Sequence, residues 1–299
     1  VTLLLAAAGA ARGAATGWIG LVAGAVLLAL AAAIALARLR RALAERVRRS
    51  RRRRRAHPRH PVVLAHGLFG FDEIRVGARR HGYFRGVRER LEREGLVVHC
   101  PRVGKTASVA ARAADFAAFV ESLPARRVNV VGHSMGGLDA RFAVARLGLG
   151  RKVASVTTIG TPHLGTPIAD VGAALGERAR LFAALGRLGV DVSAFRDLTT
   201  ERMAAFNHAV PDVRGVHYAS VVGAATRRRD VNPLLLPTYL WLLDRAGESD
   251  GVVPAASQRW GDLLRTVDAD HWAQIGWSRH FDATAFYLEL LRELGGRGL

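Results

Sequence analysis

The stretch "VNVVGHSMGGLDAR", residues 128–141, limits the possible folds more than any other part of the chain. A valine-rich run, Val128 to Val131, leads directly into Gly132-His133-Ser134-Met135-Gly136, and a helix-like sequence follows. A short continuous apolar run suits a strand buried on both faces. Gly-x-Ser-x-Gly between a strand and a helix is a sharp turn. It exposes a serine hydroxyl at the carboxyl edge of a sheet, beside a helix N-terminus. The glycines are needed because side chains there would collide with the neighbouring strand or helix. The stretch therefore predicts a strand–turn–helix unit with a reactive serine at its apex.

The rest of the chain repeats this alternation. "PVVLAH" (61–66), "LVVHC" (96–100), "VASVTTIG" (153–160), "VHYASVVG" (216–223) and "LLRTVD" (263–268) read as strands. Helix-like stretches fall at about 79–94, 108–123, 136–148, 195–209 and 280–294. Such alternation predicts an α/β fold: a mostly parallel sheet with helices on both faces. Two segments, about 166–214 and 230–245, break the rhythm with helical pattern and no strand. The second contains the apolar "NPLLLPTYLWLL". Both are expected to be cap insertions packed over one edge of the sheet.

The net charge of +19 first suggests an anionic partner, but it is concentrated. Arg38 to His60 holds twelve arginines and one acid, Glu45. Before it, Trp18 to Ala37 runs twenty residues without a charge, enough to span a bilayer. The expected organisation is a membrane anchor at 1–37, with a transmembrane helix over about 18–37. An Arg-rich juxtamembrane linker follows at 38–60, and a catalytic domain at 61–299. The positive-inside rule then gives a single-pass protein with its catalytic domain in the cytoplasm. A cleaved signal, and hence a secreted protein, is the alternative, though it would place its positive charge before the apolar run. The arginines are expected to contact anionic headgroups. No aromatic residues are interleaved for base stacking, so no nucleic-acid partner is expected. The single cysteine, Cys100, can form no intrachain disulfide and ends an apolar run, as a buried small hydrophobe would. Nothing in the sequence specifies an oligomeric state.

A serine nucleophile needs a base, and the base needs an orienting acid. With the serine on a nucleophile turn, the acid and then the histidine follow it along the chain. Asp250, in "ESDGVVP", is the expected acid, ahead of Asp230, Asp244, Asp262, Asp268 and Asp270. His271, directly after the run 263–268, is the expected base, with His280 as runner-up. His163 and Leu164, in the loop "GTPHLG", are expected to line the site, and so is His133 beside the nucleophile. Backbone N–H groups of Met135 and of Leu68, in "AHGLFGFD", are expected to hold the oxyanion. His66 and Gly67 let the backbone there approach the substrate.

"PVVLAHGLFGFD", "VNVVGHSMGGLDAR", "VASVTTIGTPHLGTPIAD" and "DGVV…DHWAQIGW" resemble the bacterial triacylglycerol lipases of the Pseudomonas and Burkholderia type, from about Pro61 to the C-terminus. The resemblance implies the α/β-hydrolase fold with mobile cap helices over an apolar acyl pocket. It also implies Ser134, Asp250 and His271 as triad, and Leu68 and Met135 as oxyanion donors. That family holds a structural calcium with two aspartates. Ala273 stands at one of those positions and Asp230 could match the other, so the calcium site is expected to be lost or altered and no cofactor is expected. The expected activity is that of a serine lipase or esterase acting on lipid esters. An acyltransferase, thioesterase or polyester depolymerase would use the same triad. A non-catalytic binding module on the same fold is disfavoured by the intact elements.

Overall fold

The valine-rich runs become the strands of one parallel sheet. The structure, a computed structural model, describes residues 36, 38–41, 57–68, 74–76, 79–104, 106–178 and 193–299. The chain divides into two units, one up to Arg55 and one from Ala56 to Leu299. In the first, the described residues are helical.

The second unit begins with β1 (Val62–Ala65), β2 (Ile74–Val76), β3 (Arg79–His81), α1 (Val87–Arg93), β4 (Val98–His99) and α2 (Val109–Ser122). Next come β5 (Val128–His133), α3 (Met135–Arg146), β6 (Val153–Ile159), α4 (Pro167–Arg178), α5 (Ser193–Asp197) and α6 (Thr200–Ala209). It closes with β7 (His217–Gly223), α7 (Leu236–Ala246), β8 (Asp262–Val267) and α8 (Ala283–Gly296). Six strands form a parallel sheet in the order β4-β1-β5-β6-β7-β8, and β2 pairs with β3 as an antiparallel hairpin. This is the α/β-hydrolase class of fold.

Alternate residues of the strands bury against different helices. Val62, Leu64, Val131 and Ile159 pack with Val87 and Leu91 of α1 and with Tyr287, Leu290 and Leu291 of α8. Val63, Val128, Val130 and Val156 pack with Phe116 and Val120 of α2 and with Ala140 and Val144 of α3. Both faces are therefore covered, which is why these strands read as unbroken apolar runs rather than alternating ones. The chain leaves β1 for β4 on one side and returns to β5 on the other. The strand order reverses there, where open α/β sheets place their ligands.

Two helical expectations are corrected. The stretch 79–94 is not one helix. Residues 79–81 form β3, and α1 begins only after Gly86, which adopts a left-handed φ of 72° that interrupts a helix. The stretch 195–209 is split into α5 and α6. Thr199 is extended between them, and its side chain caps α6 by accepting the N–H of Arg202 at 3.4 Å.

The membrane expectation is also corrected. Among the described residues no helix is long and apolar enough to cross a membrane. The longest, α2 and α8, have 14 residues each. At about 1.5 Å per residue they fall short of the roughly 30 Å of a hydrocarbon core. The single-pass, cytoplasm-facing placement and membrane attachment through an N-terminal helix are therefore without support. The expected span 18–37, apart from Leu36, lies outside the described residues, as does most of the linker at 38–60.

Candidate active site

Ser134 sits between β5 and α3 at φ 54°, the one non-glycine residue of positive φ among those described. Such a conformation costs on the order of 1–3 kcal/mol and persists only where the surroundings enforce it. Here the Ser134 N–H donates to Ile159 O at 2.9 Å, and the Thr161 hydroxyl donates to Ser134 O at 2.7 Å. The glycines provide clearance. A Cβ on Gly132 would lie 2.6 Å from Gly137 Cα, and one on Gly136 would strike the Ala65 carbonyl. Helix α3 can thus start against the end of β1, with the amide of Met135 in its first turn.

Asp250 lies in the loop after α7. Its carboxylate is fully buried and accepts four hydrogen bonds. Oδ1 receives the N–H groups of Val252 and Val253 at 2.9 and 2.7 Å. Oδ2 receives His271 Nδ1–H at 2.7 Å and the Gln274 side-chain amide at 3.1 Å. A carboxylate so held stays put and leaves the other imidazole nitrogen, Nε2, free to act. His271 follows β8, as the sequence predicted. Its own N–H donates to Asp250 O at 2.8 Å, a second tie between the two loops.

Ser134 and His271 line one cavity of about 480 Å³. Its other walls are apolar or aromatic: Leu68, Phe195, Leu198, Leu235, Val252, Trp272, Ile275 and Trp277, with Tyr83. Phe195 and Leu198 come from the first cap insertion and Leu235 from the second. A hydroxyl and an imidazole on an apolar cavity, with a buried carboxylate behind the imidazole, are the groups that acyl transfer through serine requires.

The remaining expected residues divide. Gly67 packs on the nucleophile: a Cβ there would lie 2.7 Å from Ser134 Cβ and 2.7 Å from the Tyr83 hydroxyl. His66 is buried beside it, and burial lowers its pKa to about 4. Arg112, itself paired with Asp139 at 2.7 Å, donates to His66 O at 2.7 Å and so fixes this loop. His133 lies under the site, with its ring 4.5 Å from that of His271. Burial, then the neighbouring His271, hold its pKa well below the ordinary value, so it is neutral. His163 and Leu164 do not join the cavity. His163 is fully buried, stacked on Trp260 at 5.4 Å and bonded to Thr158 Oγ1 and Arg141. Leu164 is 52% exposed. Neither Arg141 nor Trp260 is near residue 163 in sequence, so no local signal announced this packing.

Sequence reasoning missed Tyr83 and Gln274. Tyr83 was absorbed into the helix expected over 79–94, although Gly82 and Gly86 flank it as breakers. Gln274 stands one residue past Ala273, the position to which the resemblance drew attention.

The resemblance would place calcium ligands at Asp230 and at the position of Ala273. The Asp230 carboxylate faces Arg227 and Arg229 at 3.9 Å each and His280 Nδ1 at 3.6 Å, and the two guanidinium groups oppose a cation there. Asp270 already accepts the N–H groups of Asn232, Trp272 and Ala273 at 2.7–2.9 Å. Ala273 offers no side-chain oxygen, whereas calcium takes 6–8 oxygen ligands.

Residues 60–177 match the family model of the alpha/beta hydrolase fold. A triacylglycerol lipase of Pseudomonas fragi is 30% identical, over 81% of this chain and 98% of its own length. One from Vibrio cholerae is 34% identical, over 69% of this chain and 76% of its own. Among solved structures, a metagenomic carboxyl esterase superposes with a TM-score of 0.67 at 21% identity, covering 80% of this chain and 76% of that one. A Bacillus licheniformis lipase gives 0.62 at 22% identity, covering 79% and 92%. The chain belongs to the bacterial lipases of the α/β-hydrolase superfamily and is a carboxylic ester hydrolase of the lipase and esterase type.

Proposed function

We propose that this hydrolase cleaves lipid esters with an extended acyl chain, with Ser134 as nucleophile, His271 as base and Asp250 as orienting acid. Ser134 Oγ attacks the ester carbonyl carbon while His271 Nε2 takes its proton. Backbone N–H groups of Leu68 and Met135 donate to the oxyanion, each worth roughly 2.7–4 kcal/mol in comparable sites. The C–O bond to the alcohol then breaks, and His271 returns the proton to the leaving oxygen. Water attacks the acyl-serine with His271 again as base, and the acid leaves. The Asp250 carboxylate stabilises the imidazolium that forms.

The observation that carries the substrate class is the 480 Å³ cavity, whose walls beyond Ser134, His271 and the Tyr83 hydroxyl are apolar. Each methylene moved from water into such a cavity gains up to about 0.8 kcal/mol, or about fourfold in kcat/KM. A panel of p-nitrophenyl esters from acetate to palmitate should therefore show kcat/KM rising with chain length and then levelling once the cavity is full. A flat profile, or a maximum at acetate, contradicts the assignment.

The same proposal includes catalysis without calcium. A structural ion present at a hundredfold its Kd would add about 2.7 kcal/mol of stability, several degrees in Tm for a domain of this size. Treatment with EDTA is expected to leave the melting temperature and the turnover unchanged. A drop of several degrees that added calcium restores would overturn this part.

A further inference from the structure

Gln274 is fully buried beneath the Asp250–His271 pair. Its amide nitrogen donates to Asp250 Oδ2 at 3.1 Å, the oxygen that also receives His271 Nδ1–H at 2.7 Å. The sheet is cut away to admit it. A Cβ on Gly160, just past the end of β6, would strike Gln274 Oε1 and lie 3.1 Å from Asp250 Oδ2. A Cβ on Gly223, at the end of β7, would strike Gln274 Nε2 and lie 2.8 Å from Cδ. Two adjacent strands thus end in glycine around one amide.

The other end of that amide faces His133. Gln274 Oε1 and His133 Nε2 are both buried without a well-formed hydrogen bond, and His133 interacts with the Gln274 side chain and with the His271 backbone. The Tyr83 hydroxyl lies 2.8 Å from His133 Nδ1. With the phenol donating there, the neutral imidazole carries its proton on Nε2, the tautomer that can donate to Gln274 Oε1. Burial keeps His133 neutral. A polar chain therefore runs from Tyr83 on the cavity wall through His133 and Gln274 to Asp250.

We infer that Gln274 is a positioning residue: its amide holds the Asp250 carboxylate toward His271 Nδ1 and ties that pair through His133 to Tyr83. The inference rests on the proposed roles of Asp250 and His271. A neutral donor suits the place, because a second carboxylate beside Oδ2 would oppose ionisation of Asp250. Tyr83 also makes a backbone hydrogen bond with Gly67, so the chain reaches the loop that carries Leu68.

Gln274→Met keeps the length of the side chain and removes its donor and acceptor. It is expected to lower kcat by about tenfold to a hundredfold, as loss of a hydrogen bond to a buried charge does, with KM within about twofold. In an Asp250→Asn background the same change should add less than about twofold, because the carboxylate it orients is gone. A packing role would give equal losses in both backgrounds. Gln274→Leu likewise removes both polar atoms and provides the same comparison if the methionine variant fails to fold, as judged by near-ultraviolet circular dichroism. Wild-type kcat in a folded Gln274 variant, or equal losses in the two backgrounds, overturns the inference. If Asp250→Asn alone is harmless, the triad assignment has failed instead.

Discussion

Ser134→Ala is expected to lower ester turnover by about 10⁴- to 10⁶-fold while leaving the fold intact. The loss is that large because no other hydroxyl is presented to the base on the cavity: the remaining walls are apolar apart from Tyr83, whose hydroxyl is engaged by His133. The fold should survive because the change removes one oxygen from a residue whose backbone, at φ 54°, is held by the bonds to Ile159 and Thr161. The same strain gives a second readout. Ser134→Gly relieves a conformation that an L side chain resists, and should raise Tm by a few degrees, equivalent to about 1 kcal/mol, while abolishing activity. An unstrained turn would show no such gain. Differential scanning calorimetry on the two inactive variants makes the comparison.

Asp250→Asn is expected to lower kcat by about 10⁴-fold with little change in KM. The surroundings decide which way the new amide points. The N–H groups of Val252 and Val253 at the Oδ1 site demand an acceptor there, so the carbonyl of an asparagine goes to them. Its NH₂ then lies where Oδ2 was, facing the Gln274 amide nitrogen and His271 Nδ1. His271 must place its proton on Nε2 to accept at Nδ1, and in that tautomer it cannot take a proton from Ser134. An unchanged rate in the folded variant would move the orienting role to another acid. Asp270 and Asp268 are poor substitutes, since backbone and threonine donors already hold their carboxylates.

The features legible in the sequence share a physical origin: they are local. Valine runs mark strands covered on both faces, and Gly132, Gly136 and Gly137 mark a turn that tolerates no side chain. Asp250-Gly251 marks a loop, and His271 follows the last strand. What stayed hidden depends on distant packing. Tyr83 reaches the site because a hairpin and a glycine-broken turn replace the helix expected over 79–94. Gln274 matters only because Gly160 and Gly223, more than fifty residues upstream, leave room for it. His163 has the loop position of a site residue, yet Arg141 and Trp260 draw it into the interior. The surroundings of Asp230 likewise include His280, fifty residues further along the chain.

Everything proposed for this site depends on Ser134 as the activated nucleophile. The most direct test of this role is reaction of the purified protein with a fluorophosphonate, followed by mass spectrometry of its peptides. One adduct is expected, on the peptide carrying Ser134, and none in the Ser134→Ala variant. An adduct on another residue, or labelling that persists in that variant, would contradict it.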